Sequence, residues 1–149
     1  MQMAVTCLSD YLYASHYYWR DSKNLLIHAR NKEAEQLYLL KDLTQEYEVI
    51  DAEYFLKDGH CSYSPCGEWI LYNSYPDIES YRHLYLYNVK QKKGGTLASL
   101  YSYLVTIINM RCDLHPRWNP AGTGISFNSN HENHRHIYYM DLQEAMRGF

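Results

Sequence analysis

Short runs in which apolar and polar residues alternate dominate the chain, and they recur in the same order. The stretches LLIHA (Leu25–Ala29), WILYN (Trp69–Asn73) and GISFN (Gly124–Asn128) are each followed, after a polar loop, by QLYLL (Gln36–Leu40), HLYLY (His83–Tyr87) and HIYYM (His136–Met140). Runs of about five residues rich in aromatic and branched side chains read as strands. In front of each set stands a further short strand. The alternation in HCSYS puts Tyr63 on one side and Ser62 on the other, and HPRWN does the same with Trp118 and Arg117. Trp19 holds the equivalent place in the first set. Ser64-Pro-Cys-Gly67 and Asn119-Pro-Ala-Gly122 carry Pro second and Gly fourth, as a type I turn favours. A fourth strand is predicted in EYEVI (Glu46–Ile50) and in TLASLY (Thr96–Tyr101).

The pattern therefore describes an antiparallel meander written three times. The three units open at His16, His60 and His115, spacings close to the roughly 40–50 residues of a propeller blade. The fold class that follows is all-β, with three four-stranded antiparallel blades over about 9–51, 52–103 and 104–149, together half of a six-bladed propeller. The third unit runs out of chain before a fourth strand, and MAVTCL (Met3–Leu8) precedes the first unit without a blade of its own. It is expected to act as a closing strand. Three blades do not close a ring, since propellers have typically four to eight. Either the sequence is half of a longer protein, or two copies form a homodimer that completes a six-bladed ring.

Composition narrows the partners. Lys and Arg total 14 against 17 Asp and Glu, a net charge of −3, so no basic stripe is available to neutralise phosphates and nucleic acid is not expected. No segment has the apolar length of a membrane span. The N-terminal residues lack the basic start and apolar run of a signal peptide, and Cys7, Cys61, Cys66 and Cys112 form no Cys-x-x-Cys pair. A reducing, cytoplasmic location is the expectation. The 17 tyrosines suit sheets packed face to face, with an apolar ring and a polar tip on each side chain.

The segments HPRWNPAGTGISF, HIYYMDL and HCSYSPCGEWILY resemble the blade signature of TolB-like six-bladed propellers. Within that group SHYYWRD, DGHCSYSP and RCDLHPRW resemble the C-terminal half of oligogalacturonate-lyase-related proteins. The usual turn aspartate is replaced by Cys66 and Ala121, and the first unit has RDSKN instead. Members of the family are about twice this long, so half of a shared site has to come from elsewhere. The resemblance implies a divalent metal, manganese foremost, held in the channel by histidines and a glutamine. It also implies an acidic oligosaccharide as substrate and β-elimination at a uronate as the reaction.

The candidate metal ligands are His16, His60 and His115, which share one position of the repeat; nitrogen donors in such an array suit manganese, iron, nickel or zinc. The alternative is that they are hydrogen-bonding posts between blades. No glutamine falls in the matching motifs: Gln36, Gln45, Gln91 and Gln143 are placed in loops or outer strands. Arg111, Asp113 and Arg117 are candidates for substrate binding, because arginine grips a carboxylate through two parallel hydrogen bonds; a structural ion pair is the competing reading. Asp58 either orients His60 through its second ring nitrogen or serves the turn. The cluster His131–His136 and the run Lys90–Lys93 are expected to be solvated turns, and His28 a core or interface residue. Besides a metal-assisted lyase, the sequence leaves open a non-catalytic scaffold binding a glycan or peptide, and an inactive half-length homologue.

Overall fold

The computed structural model describes residues 11–102 and 111–148. Three antiparallel meanders follow one another. The first holds β1 (Tyr13–Trp19), β2 (Asn24–Arg30), β3 (Glu35–Lys41) and β4 (Tyr47–Val49) in the order β1-β2-β3-β4. The second holds β5 (Cys61–Tyr63), β6 (Trp69–Asn73), β7 (Tyr81–Asn88) and β8 (Lys93–Tyr101), again in chain order. The third holds β9 (Arg117–Trp118), β10 (Gly124–Ser129) and β11 (His136–Asp141).

The expected fourth strand is thus present in two sheets, while the third has three strands among the described residues. After β11 the chain enters a short helix, α1 (Gln143–Arg147). The residues QEAMR are good helix formers, and fully buried Leu142 anchors the helix start against the apolar layer below. The closing strand expected at Met3–Leu8 lies outside the described residues. Among the described residues no helix is long and apolar enough to cross a membrane.

Local chemistry sets the tight turns. The N–H of Gly67 donates to the Ser64 carbonyl at 2.9 Å, and that of Gly122 to the Asn119 carbonyl at 3.0 Å. Both glycines have positive φ, 75° and 68°, which a residue without Cβ adopts at no steric cost. In the first sheet Asp21 does this work: its Oδ1 accepts the N–H groups of Lys23 and Asn24 at 2.8 and 2.9 Å. Those hydrogen bonds hold its carboxyl at about 2.

Alternation along each strand gives every sheet two faces, and successive sheets stack through them. Leu26, Leu37, Leu39 and Ile50 of the first unit pack against Cys61, Tyr63, Ile70, Tyr72 and Tyr87 of the second, with Phe55 from the linker between. The opposite face of the second sheet, Trp69, Leu71, Leu84 and Leu86, packs against Leu114, Ile125, Phe127 and Leu142 of the third unit. The middle sheet is covered on both sides. Among the described residues the three sheets do not close into a ring.

Leu71 is fully buried in the second of these layers. Leu71→Ala is expected to destabilise the protein by about 2–5 kcal/mol through lost transfer energy and a cavity. Ile78→Ala, at a fully exposed residue, is expected to stay within about 0.5 kcal/mol. Urea unfolding of the two variants checks the contrast.

Candidate functional site

Stacking the sheets brings the beginnings of their first strands together. The imidazoles of His16 and His60 lie with ring centroids 3.9 Å apart, and those of His60 and His115 are 4.1 Å apart. All three line a cleft of about 280 Å³, together with Ser15, Tyr17, Tyr18 and Arg117. The three positions differ locally. His60 immediately precedes β5 and His115 lies two residues before β9, as the repeat predicts. His16 sits inside β1, at a register shift between Ala14 and Tyr17. Such a bulge turns one side chain out of the regular alternation, and it is the means by which His16 meets His60.

Two of the rings are tied through Nδ1. His16 Nδ1 is 3.1 Å from Asp58 Oδ1, and the other oxygen of Asp58 accepts the hydroxyls of Tyr13 and Ser15, each at 2.8 Å. Burial alone would raise the Asp58 carboxyl, but the hydrogen bonds from His16, Ser15 and Tyr13 pull it well below the usual carboxylate range. An ionised carboxylate only accepts hydrogen bonds, so His16 Nδ1 carries the proton toward it and Nε2 is left for a ligand. His60 Nδ1 is 3.1 Å from Asn73 Oδ1. Asn73 Nδ2 donates to the Ser74 carbonyl at 3.1 Å, which fixes the amide so that His60 Nδ1 is the donor. The expectation that Asp58 orients His60 is therefore corrected: Asp58 orients His16, and Asn73 orients His60. The reason is the β1 bulge, which swings His16 onto the carboxylate.

His28 is fully buried on β2, with Nδ1 3.3 Å from Asp58 Oδ1. Burial first, and then the neighbouring His16, lower its pKa against the opposing pull of Asp58 and Glu35. Burial likewise brings His60 down to about 4, with His16 and His115 acting in the same direction. His115 is lowered chiefly by burial, against the pull of Asp113. Gly59 is held against the second sheet so closely that a Cβ there would stand 1.7 Å from the Asn73 carbonyl oxygen; this approach places His60 beside Asn73.

Of the second constellation, Asp113 accepts from Arg111 Nε at 2.9 Å and lies 2.7 Å from Arg82 Nη1. Burial opposes its ionisation, but the hydrogen bond from Arg111 and the charges of both arginines hold its pKa below the ordinary value. Arg82, buried on β7, also donates from Nε to Ser102 Oγ at 2.9 Å. Sequence reasoning missed Arg82; its place in RHLYLY, where the alternation calls for an inward side chain, was the available signal. Arg111 lies over the Tyr75 ring at 5.1 Å. Arg117 lines the histidine cleft itself. The predicted residues thus divide into His16, His60, His115 and Arg117 around the cleft, and Arg111 and Asp113 in an ion-pair group with Arg82.

Three imidazole nitrogens on consecutive sheets fit a divalent cation in donor type, but the rings pack against one another tilted by 53° and 54°, and among the described residues no three His, Cys, Asp or Glu side chains form a ready cage. Among the described residues no glutamine lines the cleft. Cys61 and Cys112 are buried free thiols and Cys66 an exposed one; burial pushes Cys61 up to about 12. His131 and His134 lie in the exposed turn between β10 and β11, where His131 Nδ1 meets Ser129 Oγ at 2.8 Å.

Comparison with known proteins adds the fold. The crystal structure of TolB from Acinetobacter baumannii superposes with a TM-score of 0.68 over 87% of this chain, at 19% sequence identity. The fold is TolB-like, that of a β-propeller. At this identity the likeness concerns fold alone, and this TolB-like chain spans 30% of the length of that protein. No family model and no curated protein matches the sequence. The TolB-like arrangement explains why the first strands of successive sheets converge.

A half-buried histidine with a depressed pKa makes stability depend on pH. The unfolded chain takes up a proton at His60 near the ordinary 6.5, whereas the folded protein refuses it until about 4. Stability is therefore expected to be full above that window and to fall as pH drops through it, by about 2–3 kcal/mol for this group. His60→Gln should flatten the slope of urea-unfolding free energy against pH between 6.5 and 4.

Proposed function

We propose that the histidine cleft binds the carboxylate of an acidic oligosaccharide. The observation that carries this reading is the convergence of three imidazoles with Arg117 in one cleft of about 280 Å³. Arg117 offers the planar fork that matches a carboxylate. Tyr17 and Tyr18, the first of them two-thirds exposed, offer rings against which a sugar face can lie. His60 is neutral near pH 7, so it accepts or donates a hydrogen bond without bringing a charge of its own.

The tethering of His16 to Asp58 and of His60 to Asn73 favours a second, catalytic reading. Metal-bound histidines characteristically donate their other nitrogen to such partners. In that reading His16, His60 and His115 hold a divalent ion, manganese by family likeness, through nitrogens that must turn from their present tilted contacts toward one point. When bound, the ion would polarise the uronate carboxylate and acidify the adjacent C–H, which is what β-elimination requires. Arg117 orients the substrate, Asp58 and Asn73 hold the rings, and Asp113 keeps Arg111 and Arg82 in place. A non-catalytic scaffold uses the same cleft without the ion.

A second copy of the chain is proposed to complete the ring. The register places Tyr17, Trp19, Tyr47 and Val49 on the face of the first sheet turned away from the second, and all four are exposed. At the other end Ile137 and Tyr139 point away from the second sheet and are also exposed. Light scattering is expected to give twice 17.7 kDa.

Calorimetry with a uronate disaccharide and with its neutral counterpart tests the binding. The acidic ligand is expected to bind and the neutral one to bind at least tenfold more weakly, with Arg117→Ala removing about 10–100-fold in affinity. Equal affinity for both ligands would overturn the reading. Growth of ultraviolet absorbance from an unsaturated product, dependent on added manganese, separates the lyase from the scaffold.

A further inference from the structure

A second chain of hydrogen-bonded side chains lies on the outer hairpin of the middle sheet, and none of its members lines the histidine cleft. Ser99 on β8 is the direct cross-strand partner of His83 on β7. His83 Nδ1 is 2.8 Å from Ser99 Oγ, and His83 Nε2 is 2.9 Å from Asp77 Oδ2. The other oxygen of Asp77 accepts the backbone N–H groups of Glu79 and Tyr81 at 2.9 and 2.8 Å, so the carboxylate cannot turn away.

The proton positions follow from donor chemistry. A carboxylate accepts only, so Nε2 carries the hydrogen toward Asp77 and the neutral ring has its lone pair on Nδ1. The Ser99 hydroxyl must then donate to His83. A hydroxyl, a base and a carboxylate that orients the base are the parts of an activated nucleophile, recognised by geometry and not by position in a sequence. The two ring nitrogens exchange their usual roles here, which leaves the proton path intact.

Beside this relay lies a separate cleft of about 230 Å³ walled by Tyr54, Phe55, Leu56, Tyr72 and Tyr85, with Ser74 as a polar member. The two are adjacent: Ser74 Oγ accepts the backbone N–H of His83 at 3.0 Å, and the rings of His83 and Tyr85 are 5.8 Å apart. Within the cleft, the Tyr54 hydroxyl is buried and has no hydrogen-bond partner, a donor left for a polar atom of a bound molecule. Ser99 itself is exposed.

We propose that Ser99, His83 and Asp77 form a second, hydrolytic site, at which Ser99 attacks the carbonyl of a small ester whose aromatic or apolar part lies in the Tyr54–Tyr85 cleft. The Oγ–C bond forms as the Ser99 proton passes to His83 Nδ1. The ester C–O bond then breaks, and the departing alcohol takes that proton. Water attacks the acyl group on Ser99, gives a proton to His83, and releases the acid as His83 returns the proton to Ser99 Oγ. Asp77 is the positioning residue, and its Nε2 contact holds the ring through both transfers.

The whole chain treated with a fluorophosphonate probe and digested for peptide mass mapping tests this. The adduct is expected on Ser99 in preference to every other hydroxyl, and hydrolysis of 4-nitrophenyl butyrate is expected to be lost in Ser99→Ala. His83→Gln and Asp77→Asn should each slow labelling about 100-fold while leaving the circular dichroism spectrum unchanged. Adducts scattered over serines and tyrosines without preference for Ser99, or ester hydrolysis equal in wild type and Ser99→Ala, would overturn the proposal.

Discussion

Face-to-face packing of successive meanders is the constraint from which the remaining features follow. A four-stranded sheet with apolar residues on both faces needs a neighbour on each side, and here the middle sheet has both. Once Leu26 and Leu37 meet Ile70 and Tyr72 on one side, and Leu71 and Leu84 meet Ile125 and Phe127 on the other, the twist common to all sheets leaves little freedom in where first strands begin. The histidines meet because the hydrophobic layers do.

Two half-buried carboxylates frame that meeting point. Asp58, from the linker between the first two sheets, gathers His16, Ser15 and Tyr13. Asp113, from the segment ahead of β9, gathers Arg111 and Arg82. Each is shielded from water yet kept ionised by the donors around it, which is the condition under which buried charge is tolerated. The linkers between sheets are therefore polar struts. They hold the ends of neighbouring sheets in register alongside the hydrophobic contacts of Phe55 and Leu114 in the same linkers.

The meander was legible because it rests on local rules. Period-two alternation and the Pro and Gly turns at Ser64–Gly67 and Asn119–Gly122 fix strands and turns without reference to anything distant. The repeat itself marked the histidines. What escaped was nonlocal or irregular. The bulge that redirects His16 inserts a residue into a strand whose sequence, SHYYW, gives no sign of it. The exchange of partners between Asp58 and Asn73 follows from that bulge. Arg82 alternates in phase with Leu84 and Leu86 on the inward side of β7, but its partner Asp113 comes from the next unit, which local alternation does not reveal. The relay of Ser99, His83 and Asp77 joins three residues on separate elements, none of which stands out in the sequence by itself.

The backbone at His115 has φ of 42°, in a region that costs a residue bearing a Cβ roughly 1–2 kcal/mol and glycine almost nothing. The chain thus gives up conformational comfort at one corner of the cleft to hold an imidazole there. Relief by glycine would remove the ring that packs on His60 at 4.1 Å and widen the cleft on that side. The protein would become more at ease in its turn and more open where its three sheets meet.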